Sequence, residues 1–148
     1  MNNNTDYSAL VGKVWNYAHV LPDNVLFEAG SAGEGIRRRL LEQFDFHTLL
    51  RLPTGIFYKP GVKANVLFFD KRAPRAYGKP NSKALWIYDL RTNQHFTLKK
   101  NPLAATDLED FVACYAAGDR GKRQETKRFK RFPAEEELAP CAPLLRNP

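Results

Sequence analysis

Two short apolar runs separated by a loop of turn-forming residues constrain the fold of this chain more than any other stretch. The runs cover residues 48–52 and 64–69, and the loop between them contains Gly55 and the pair Pro60-Gly61. Continuous apolar runs of this length are typical of strands that are buried on both faces of a sheet. The sequence therefore predicts two buried strands joined by a loop at the edge of a sheet.

The same loop carries two adjacent aromatic residues, Phe57 and Tyr58. An aromatic pair on a loop at a sheet edge is placed to stack on a flat ligand. The alternative is that both rings fold back into the core, and the residues of the loop alone favour that alternative.

Several blocks of sequence follow one another in an order that resembles one enzyme family. They read Leu-Pro-Asp-Asn-Val-Leu-Phe-Glu from residue 21, Ile-Arg-Arg-Arg-Leu-Leu from 36, Leu-Pro-Thr-Gly-Ile-Phe from 52, Gly-Val-Lys-Ala-Asn-Val-Leu-Phe-Phe from 61, Trp-Ile-Tyr-Asp-Leu-Arg-Thr-Asn from 86 and Phe-Val-Ala-Cys-Tyr from 111. In this order they resemble the methylation subunit of type I restriction-modification systems, an N6-adenine DNA methyltransferase. The resemblance covers residues 21–132.

The resemblance implies an α/β fold, namely the C-terminal part of a Rossmann-like, S-adenosylmethionine-dependent methyltransferase with a mixed sheet and flanking helices. It also implies DNA, a specificity subunit and an intact methylation subunit as partners. In an intact relative the target adenine is flipped out of the duplex, and an aromatic residue on the loop before the last paired strand stacks on it. By position this residue is Phe57, with Tyr58 second. Lys59 and Lys63 on the same loop either contact phosphate or form a solvated surface.

Two motifs that the resemblance leads us to expect are absent from the sequence. There is no Gly-rich loop for S-adenosylmethionine and no Asn-Pro-Pro-aromatic tetrapeptide, and Asn101-Pro102-Leu103 is more typical of a turn before a helix. We therefore expect no bound cofactor and no catalytic residue in this chain, and whether it is an enzyme stays open. The three histidines and two cysteines show no spacing that is typical of catalysis or of a metal site.

Residues 10–21 resemble the opening helix of the family's N-terminal helical domain. In a full-length relative several hundred residues would separate that helix from the block at 21, whereas here the two adjoin at Val20 and Leu21. We infer an internally deleted family member. Its expected parts are a helical remnant in 1–20, the C-terminal half of a methyltransferase-like domain in 21–118, and a basic segment with a Pro-rich tail in 119–148.

Positive charge is concentrated in two places. The net charge of the chain is +7, and the stretch from Asp119 to Arg131 contains seven basic residues against two acidic ones. Such clusters attract nucleic-acid phosphates without reading sequence, although a solvated face is the commoner explanation for any single cluster. The residues that we predict to contact nucleic acid in these clusters are Arg37, Arg38, Arg39, Lys127, Arg128, Lys130 and Arg131.

The remaining pattern predicts the other elements. Ser31 and Glu34 have the spacing of a capping box, which predicts a helix with Ile36, Leu40, Leu41 and Phe44 on its buried side. Residues 85–90 and 95–98 are expected to form a strand pair. A second capping box, from Thr106 to Glu109, predicts a helix that ends near Gly118, followed by a frayed tail from 133. The chain has no apolar run long enough to span a bilayer and no signal peptide, so we expect a cytoplasmic protein.

These observations leave three hypotheses open. The first is a truncated type I methylation subunit that is not catalytic alone. The second is an interaction module that docks with the specificity or methylation subunit. The third is a small basic DNA-binding domain.

Overall fold

The computed structural model describes residues 16–24, 31–57, 61–73, 79–91 and 96–134. Within these ranges the chain forms five strands and two α-helices, with short 3₁₀ turns before and after the second helix. In chain order they are β1 (Asn16–Pro22), α1 (Ser31–Gln43), β2 (Phe44–Leu52), β3 (Ala64–Lys71), β4 (Ala84–Asp89), the turn Ala105–Leu108, α2 (Glu109–Tyr115), the turn Arg120–Lys122 and β5 (Phe129–Pro133).

The strands form one mixed sheet in the order β1-β3-β2-β4-β5. Strand β3 lies between β1 and β2 and is antiparallel to both. Strands β2 and β4 are parallel, and β5 is antiparallel to β4. The polypeptide therefore runs in one direction in β1, β2 and β4, and these three strands end at the same edge of the sheet. The predicted α/β class with a mixed sheet and flanking helices is confirmed.

Each face of the sheet is covered by one helix and one hydrophobic cluster. Leu41 of α1 packs on one face, and Phe111 of α2 packs on the other. The cluster on the α1 face consists of Leu41, Phe46, Leu49, Leu67, Phe69, Leu85 and Ala134. The cluster on the α2 face consists of Leu50, Leu52, Ala64, Tyr88, Leu90, Phe111 and Phe129. Because alternate residues of β2 supply both clusters, β2 is buried on both faces, as its apolar run predicts.

Helix α1 lies where the sequence predicts it, with one difference in the face it buries. Leu41 is buried and Leu40 packs against the same cluster, whereas Ile36 is 40% exposed. Phe44 belongs to β2 instead of the helix. The side chain of Ser31 is outside the described part, so its capping bond stays a prediction.

The prediction of a helix in residues 10–21 is wrong in its described part. Residues 16–21 are not helical, because Asn16–Pro22 is a strand that pairs along its whole length with β3. The strand runs without a break through Val20 and Leu21. The inference of an internal deletion at that position depended on a helix before it, and the described residues there form a strand instead. Residues 10–15 lie outside the described ranges.

The strand pair predicted for 85–90 and 95–98 is also wrong in its second member. Thr97 and Asn101 form an isolated bridge, and the Thr97 hydroxyl accepts hydrogen bonds from the amides of Lys100 and Asn101, which closes a tight turn. The place beside β4 is taken by β5, in a segment that the sequence suggested was only basic surface and tail. Helix α2 ends earlier than predicted, at Ala116 with φ of 46° instead of at Gly118.

Candidate nucleic-acid interface

The loop that follows β2 holds Phe57 at the edge where β1, β2 and β4 end, which we call the carboxyl edge. Phe57 is 37% exposed, whereas the preceding Ile56 packs against the hydrophobic cluster on the α2 face. The loop is therefore anchored by one apolar side chain and presents the next one to solvent. In α/β sheets, ligands bind preferentially beyond the carboxyl ends of the strands. Tyr58 and Lys59 lie outside the described ranges.

The backbone of this loop is fitted closely against a second segment. Gly55 has φ of 89°, and a Cβ atom at this position would lie 1.9 Å from the carbonyl oxygen of Phe96. Phe96 is itself buried. A side chain at position 55 would push the loop away from Phe96, so glycine is required both by the positive φ and by the contact.

A buried polar network supports the carboxyl edge behind the loop. The Asn65 side chain donates a hydrogen bond of 2.6 Å to Asp23 Oδ1, and Arg51 Nη2 lies 3.8 Å from Asp23 Oδ2. The Asp23 amide in turn donates to the carbonyl of Lys63. Burial lowers the pKa of the Arg51 guanidinium, and nearby Arg91 lowers it further, whereas Asp23 opposes the shift. The network ties the segment after β1 to β2 and β3.

The end of β4 is held by a second ion pair. The Arg91 side chain and backbone amide both donate to the carboxylate of Asp89, with 2.9 Å from Nε to Oδ1. Burial would raise the pKa of Asp89, but the hydrogen bonds from Arg91 hold it below its usual value. The carboxyl edge is thus built from charged groups that bind one another and fix the backbone around the Phe57 loop.

The predicted basic contacts fall into two groups. Lys63 precedes β3 and is exposed at the carboxyl edge. Lys127 and Arg128 are exposed just before β5. They lie beside the end of β4, where the Asp89 amide donates to the Arg128 carbonyl. Lys130 and Arg131 are exposed further along β5, towards the opposite edge.

The triplet Arg37, Arg38 and Arg39 lies on α1, the helix on the other face of the sheet from α2. Arg38 and Arg39 are exposed, and Arg38 Nη2 lies 3.6 Å from Glu34 Oε1. The structure therefore places Phe57, Lys63, Lys127 and Arg128 at one edge and does not bring the α1 triplet into the same group.

Sequence reasoning missed a polar cleft at the other edge of the sheet, where β2 and β4 begin. This amino-edge cleft has a volume of about 640 Å³. Its described lining consists of Asp45, His47, Arg72, Asn81, Lys83, Ala84, Trp86, Arg120, Gly121, Arg123, Glu125 and Arg131. Two arginines meet two carboxylates on its floor: Arg72 Nη2 lies 3.0 Å from Asp45 Oδ2, and Arg120 Nη2 lies 2.9 Å from Asp70 Oδ2.

A β-bulge aims the polar residues of β2 into this cleft. The register of β2 with β3 shifts between Phe46 and Thr48, so that His47 is the extra residue. His47 Nδ1 lies 2.8 Å from the Thr48 hydroxyl, and His47 Nε2 lies 3.6 Å from Asp70. The pKa of His47 is lowered from 6.5 to about 4. Burial is the largest cause, Arg120 and Arg123 also lower the pKa, and Asp70 opposes them.

Arg123 closes the inner wall of the cleft. Its Nε donates 2.7 Å to the carbonyl of Tyr115, its Nη1 donates 3.0 Å to the Thr48 hydroxyl, and its guanidinium lies 4.8 Å from the centre of the Tyr115 ring. The sequence did contain a signal for this site, because Asp45, His47 and Asp70 are polar residues in or beside otherwise apolar strands.

Metal clusters and membrane-spanning helices do not occur in the part of the chain that the structure describes. There, no three His, Cys, Asp or Glu side chains are grouped so that they could hold a metal ion. None of the helices described is long and apolar enough to cross a membrane. Cys114 is a free thiol that packs partly against the α2-face cluster, and burial raises its pKa.

Comparison with known proteins identifies relatives of this sequence. The family model described as N-6 DNA Methylase matches residues 10–140. The StySPI methylase subunit of a type I restriction enzyme from Salmonella potsdam is 46% identical over 121 residues, and so is the EcoKI methylase subunit from Escherichia coli strain K12. Each alignment covers 80% of this chain and 23% of the relative. The chain thus spans about a quarter of the length of the curated relatives it matches.

Solved structures give the same result for the fold. The crystal structure of the type I restriction enzyme EcoKI M protein matches with a TM-score of 0.65 and 35% identity, covering 80% of this chain and 30% of that one. A modification subunit of a putative type I restriction enzyme from Vibrio vulnificus YJ016 also matches with a TM-score of 0.65. Its 23% identity supports the fold alone.

Proposed function

The chain belongs to the N-6 DNA methylase family, and we propose that it supplies the C-terminal, base-stacking part of a type I methylation subunit without transferring methyl groups on its own. The observation that carries this proposal is the exposed ring of Phe57 on an anchored loop at the carboxyl edge. The fold and the relatives support the choice of family, and the sequence supports the limit on catalysis.

The position of Phe57 suits a flipped base. A base taken out of the duplex needs a flat apolar surface, and stacking on an aromatic ring contributes roughly 1–3 kcal/mol. The ring is half-exposed, so a base can cover it without displacing core contacts. Lys63, Lys127 and Arg128 lie at the same edge and add positive charge where a DNA strand would pass.

The limit on catalysis follows from what the sequence lacks. An Asn-Pro-Pro-aromatic tetrapeptide would hold the target amine, and a Gly-rich loop would hold S-adenosylmethionine, which supplies the methyl group when bound. Neither motif occurs in the 148 residues. At the carboxyl edge Asp23 and Asn65 bind each other, so they do not form an open cofactor site. The residues that the structure describes at this edge therefore do not fit the cofactor.

The base-stacking part of the proposal is tested with Phe57→Ala and a DNA duplex that contains a mismatched adenine. We expect the affinity to fall by the equivalent of roughly 1–3 kcal/mol, because the ring that stacks on the base is lost. Phe57→Trp, which keeps a stacking ring, should retain the affinity. Val112→Ala is the matched control, since Val112 is an exposed apolar residue on α2. Equal losses for Phe57→Ala and Val112→Ala would reject the role of Phe57.

The limit on catalysis is tested by calorimetric titration of the purified chain with S-adenosylmethionine. We expect no heat of binding, because the cofactor loop is absent. Clear one-to-one binding would overturn this part of the proposal and would require a methylation assay of the chain alone.

A second candidate function is docking with a specificity or methylation subunit. Strand β1 is the outer strand of the sheet as described, and Ala18, His19 and Val20 on it are exposed, with Val20 at 53%. An exposed apolar strand edge favours association. The test is co-purification of the chain with a type I specificity subunit, and Val20→Lys should reduce it if β1 is the contact.

The third candidate, a small basic DNA-binding domain, makes a different prediction about salt. Binding through phosphates alone would weaken steeply as salt increases and would not depend on Phe57. For all three candidates we place the chain in the cytoplasm, where DNA and the other subunits are available.

A further inference from the structure

The amino-edge cleft carries more positive charge than its own carboxylates neutralise. Its basic residues come from four separate parts of the chain, namely the segment after β3, the segment before β4, the segment after α2, and the middle of β5. The basic residues are Arg72, Lys83, Arg120, Arg123 and Arg131, and the acidic ones are Asp45, Glu125 and, on the floor, Asp70. Among the residues that the structure describes, five cations thus face three carboxylates, which leaves two positive charges in one concave site.

The carboxylates are distributed unequally among these cations. Asp45 and Asp70 both bind Arg72 and Arg120. Lys83 and Arg131 are exposed on the rim, and in the described part of the chain neither side chain has a carboxylate partner within ion-pair distance. The Arg131 amide, by contrast, donates to Glu125 Oε1, so Glu125 is turned towards the backbone of β5. The rim therefore keeps two cations for a ligand.

Arg123 adds an unused donor at the inner wall. The residue is only 7% exposed, and its Nε and Nη1 are bonded to Tyr115 and Thr48, but Nη2 has no hydrogen-bond partner. A buried guanidinium that lacks a carboxylate is costly unless a compensating anion is present. The lowered pKa of nearby His47, to which Arg120 and Arg123 contribute, is consistent with a positive potential in the cleft.

An aromatic wall accompanies the charge. Trp86 on β4 lines the cleft and is half-buried, with one side of its indole stacked on Phe129 at 4.7 Å between ring centres. Arginine guanidinium groups match phosphate oxygens in a bidentate geometry, and aromatic rings stack on bases. The volume of about 640 Å³ exceeds what a single phosphate needs and suits a nucleotide unit.

We propose that the amino-edge cleft binds a phosphate group of a nucleic-acid strand, with Lys83 and Arg131 as the contacting cations and Trp86 beside the adjoining base. This site is distinct from the Phe57 loop, which lies at the other end of β2. It rests on the proposed function only for the choice of nucleic acid as the source of the phosphate. Free inorganic phosphate has the same chemistry, and the experiment separates the two sources.

The distance between the two sites is compatible with one DNA molecule. The seven residue steps of β2 from Asp45 to Leu52 span about 23 Å at roughly 3.3 Å per step. That span corresponds to about seven base pairs at roughly 3.4 Å each. A duplex that reaches Phe57 can therefore extend to the cleft along the same sheet.

The test combines two probes with three charge-matched variants. The probes are inorganic phosphate, followed through the indole N–H signal of Trp86 in ¹⁵N spectra, and a fluorescein-labelled DNA duplex two helical turns long, followed by anisotropy at several salt concentrations. The variants are Lys83→Gln and Arg131→Gln in the cleft, and Lys100→Gln on the exposed turn after Phe96 as the control. All three are exposed side chains, so the fold should tolerate each change.

We expect phosphate to shift the Trp86 signal, and we expect each cleft variant to weaken duplex binding about eightfold at 0.1 M salt and to lower the log–log salt slope by about one. The control should change neither quantity. A phosphate-induced shift with unchanged duplex affinity would overturn the nucleic-acid source and leave a small-anion site. No response to either probe would overturn the site altogether. Duplex binding that depends on Phe57 but not on Lys83 or Arg131 would preserve the proposed function and reject this inference.

Discussion

The two edges of the sheet each contain a buried arginine, Arg51 at the carboxyl edge and Arg123 at the amino edge, and the two are held in different ways. Arg51 lies on β2 directly opposite Asn65 of β3, and Asp23 follows β1 next to them. Arg123 comes from the segment after a 3₁₀ turn and reaches Thr48 and the carbonyl of Tyr115 from outside the sheet. The first arrangement is set by strand register and the second by the path of a loop.

Because of this difference, we expect the carboxyl edge to be rigid and the amino edge to change its conformation more easily. Partners that face each other across strands cannot part without breaking the sheet, so the carboxyl edge keeps its shape whatever binds there. Four of the five cations of the amino edge lie on connecting segments, whose conformation costs less to change, and the fifth, Arg131, lies on the outer strand β5. We therefore expect substitutions at the carboxyl edge to cost more stability than matched substitutions at the amino edge.

The largest effect is expected for Gly55→Ala at the carboxyl edge. The positive φ and the close approach to the Phe96 carbonyl together should lower the free energy of unfolding by about 3 kcal/mol or more. Gly61→Ala is the control, because Gly61 has φ of 75° but no atom within 4 Å of the place that a Cβ would occupy, and it should cost about 1 kcal/mol. Urea denaturation of both variants gives the comparison, and equal losses would show that the contact with Phe96 does not matter.

The next effect concerns pH and belongs to the amino edge. The pKa of His47 is about 4 in the folded chain against 6.5 when unperturbed, so the unfolded chain binds a proton at a pH where the folded chain does not. Stability should be unaffected above pH 6.5 and should fall by about 2–3 kcal/mol as the pH drops to 4. His47→Gln should remove this part of the pH dependence, and His19→Gln on β1 should leave it unchanged. Identical profiles for wild type and His47→Gln would contradict the assignment.

A matched pair of substitutions compares the polar networks directly. Asn65→Ala removes the 2.6 Å hydrogen bond to Asp23 and leaves a carboxylate with one partner fewer, so it should cost about 2 kcal/mol. Thr48→Val removes the hydroxyl that accepts from Arg123 and should cost about 1 kcal/mol, since the surrounding loop can move. Thermal or urea unfolding measures both. A larger loss for Thr48→Val would reverse the ranking of the two edges.

The smallest effects are expected at the solvent-facing ion pairs. Arg91→Gln breaks a pair that also involves the Arg91 backbone amide, and it should cost up to about 1 kcal/mol. Arg72 is half-exposed, and Arg72→Gln should cost less than about 0.5 kcal/mol. Both differences should shrink in high salt. A salt-independent loss for Arg72→Gln would show that the floor of the amino-edge cleft is more rigid than proposed.

The central strands could be predicted from the sequence, because burial on both faces leaves a mainly apolar run, interrupted here by Arg51 and Asn65. That pattern identified β2 and β3 and located the Phe57 loop between them. The outer strands carry no such pattern. Residues 16–21 mix polar and apolar side chains in a way that also suits a helix, and the pairing with β3 decides their conformation.

Strand β5 was hidden by its charge. Phe129 is buried on the α2 face while Lys130 and Arg131 are exposed, which is typical of an edge strand that discourages further pairing. The amino-acid composition of this segment alone indicates only a basic surface. Positive charge therefore gave a clue to nucleic acid as a possible partner but concealed the secondary structure that carries it.

The positions of functional residues could be predicted only where those residues lie on one loop between two predicted strands. Phe57 and Lys63 lie on the same loop between β2 and β3, so their common position at the carboxyl edge follows from the two strands. The amino-edge cleft joins residues about 75 positions apart, such as Asp45 and Arg120. No spacing rule connects such residues, because the path of the segment after α2 is set by tertiary packing. Polar residues beside an apolar run were the available signal.

The insertion of β3 between β1 and β2 has a consequence for how the chain is made. β1 and β2 emerge from the ribosome first, yet neither can pair with the other, since the position between them belongs to a strand that comes later. During synthesis the backbone groups of β1 and β2 that face β3 stay unpaired until β3, which ends at Lys71, has left the ribosomal exit tunnel. A nascent chain arrested before Ala64 then has no sheet that joins its two halves, and its apolar strands are substrates for chaperones or for aggregation.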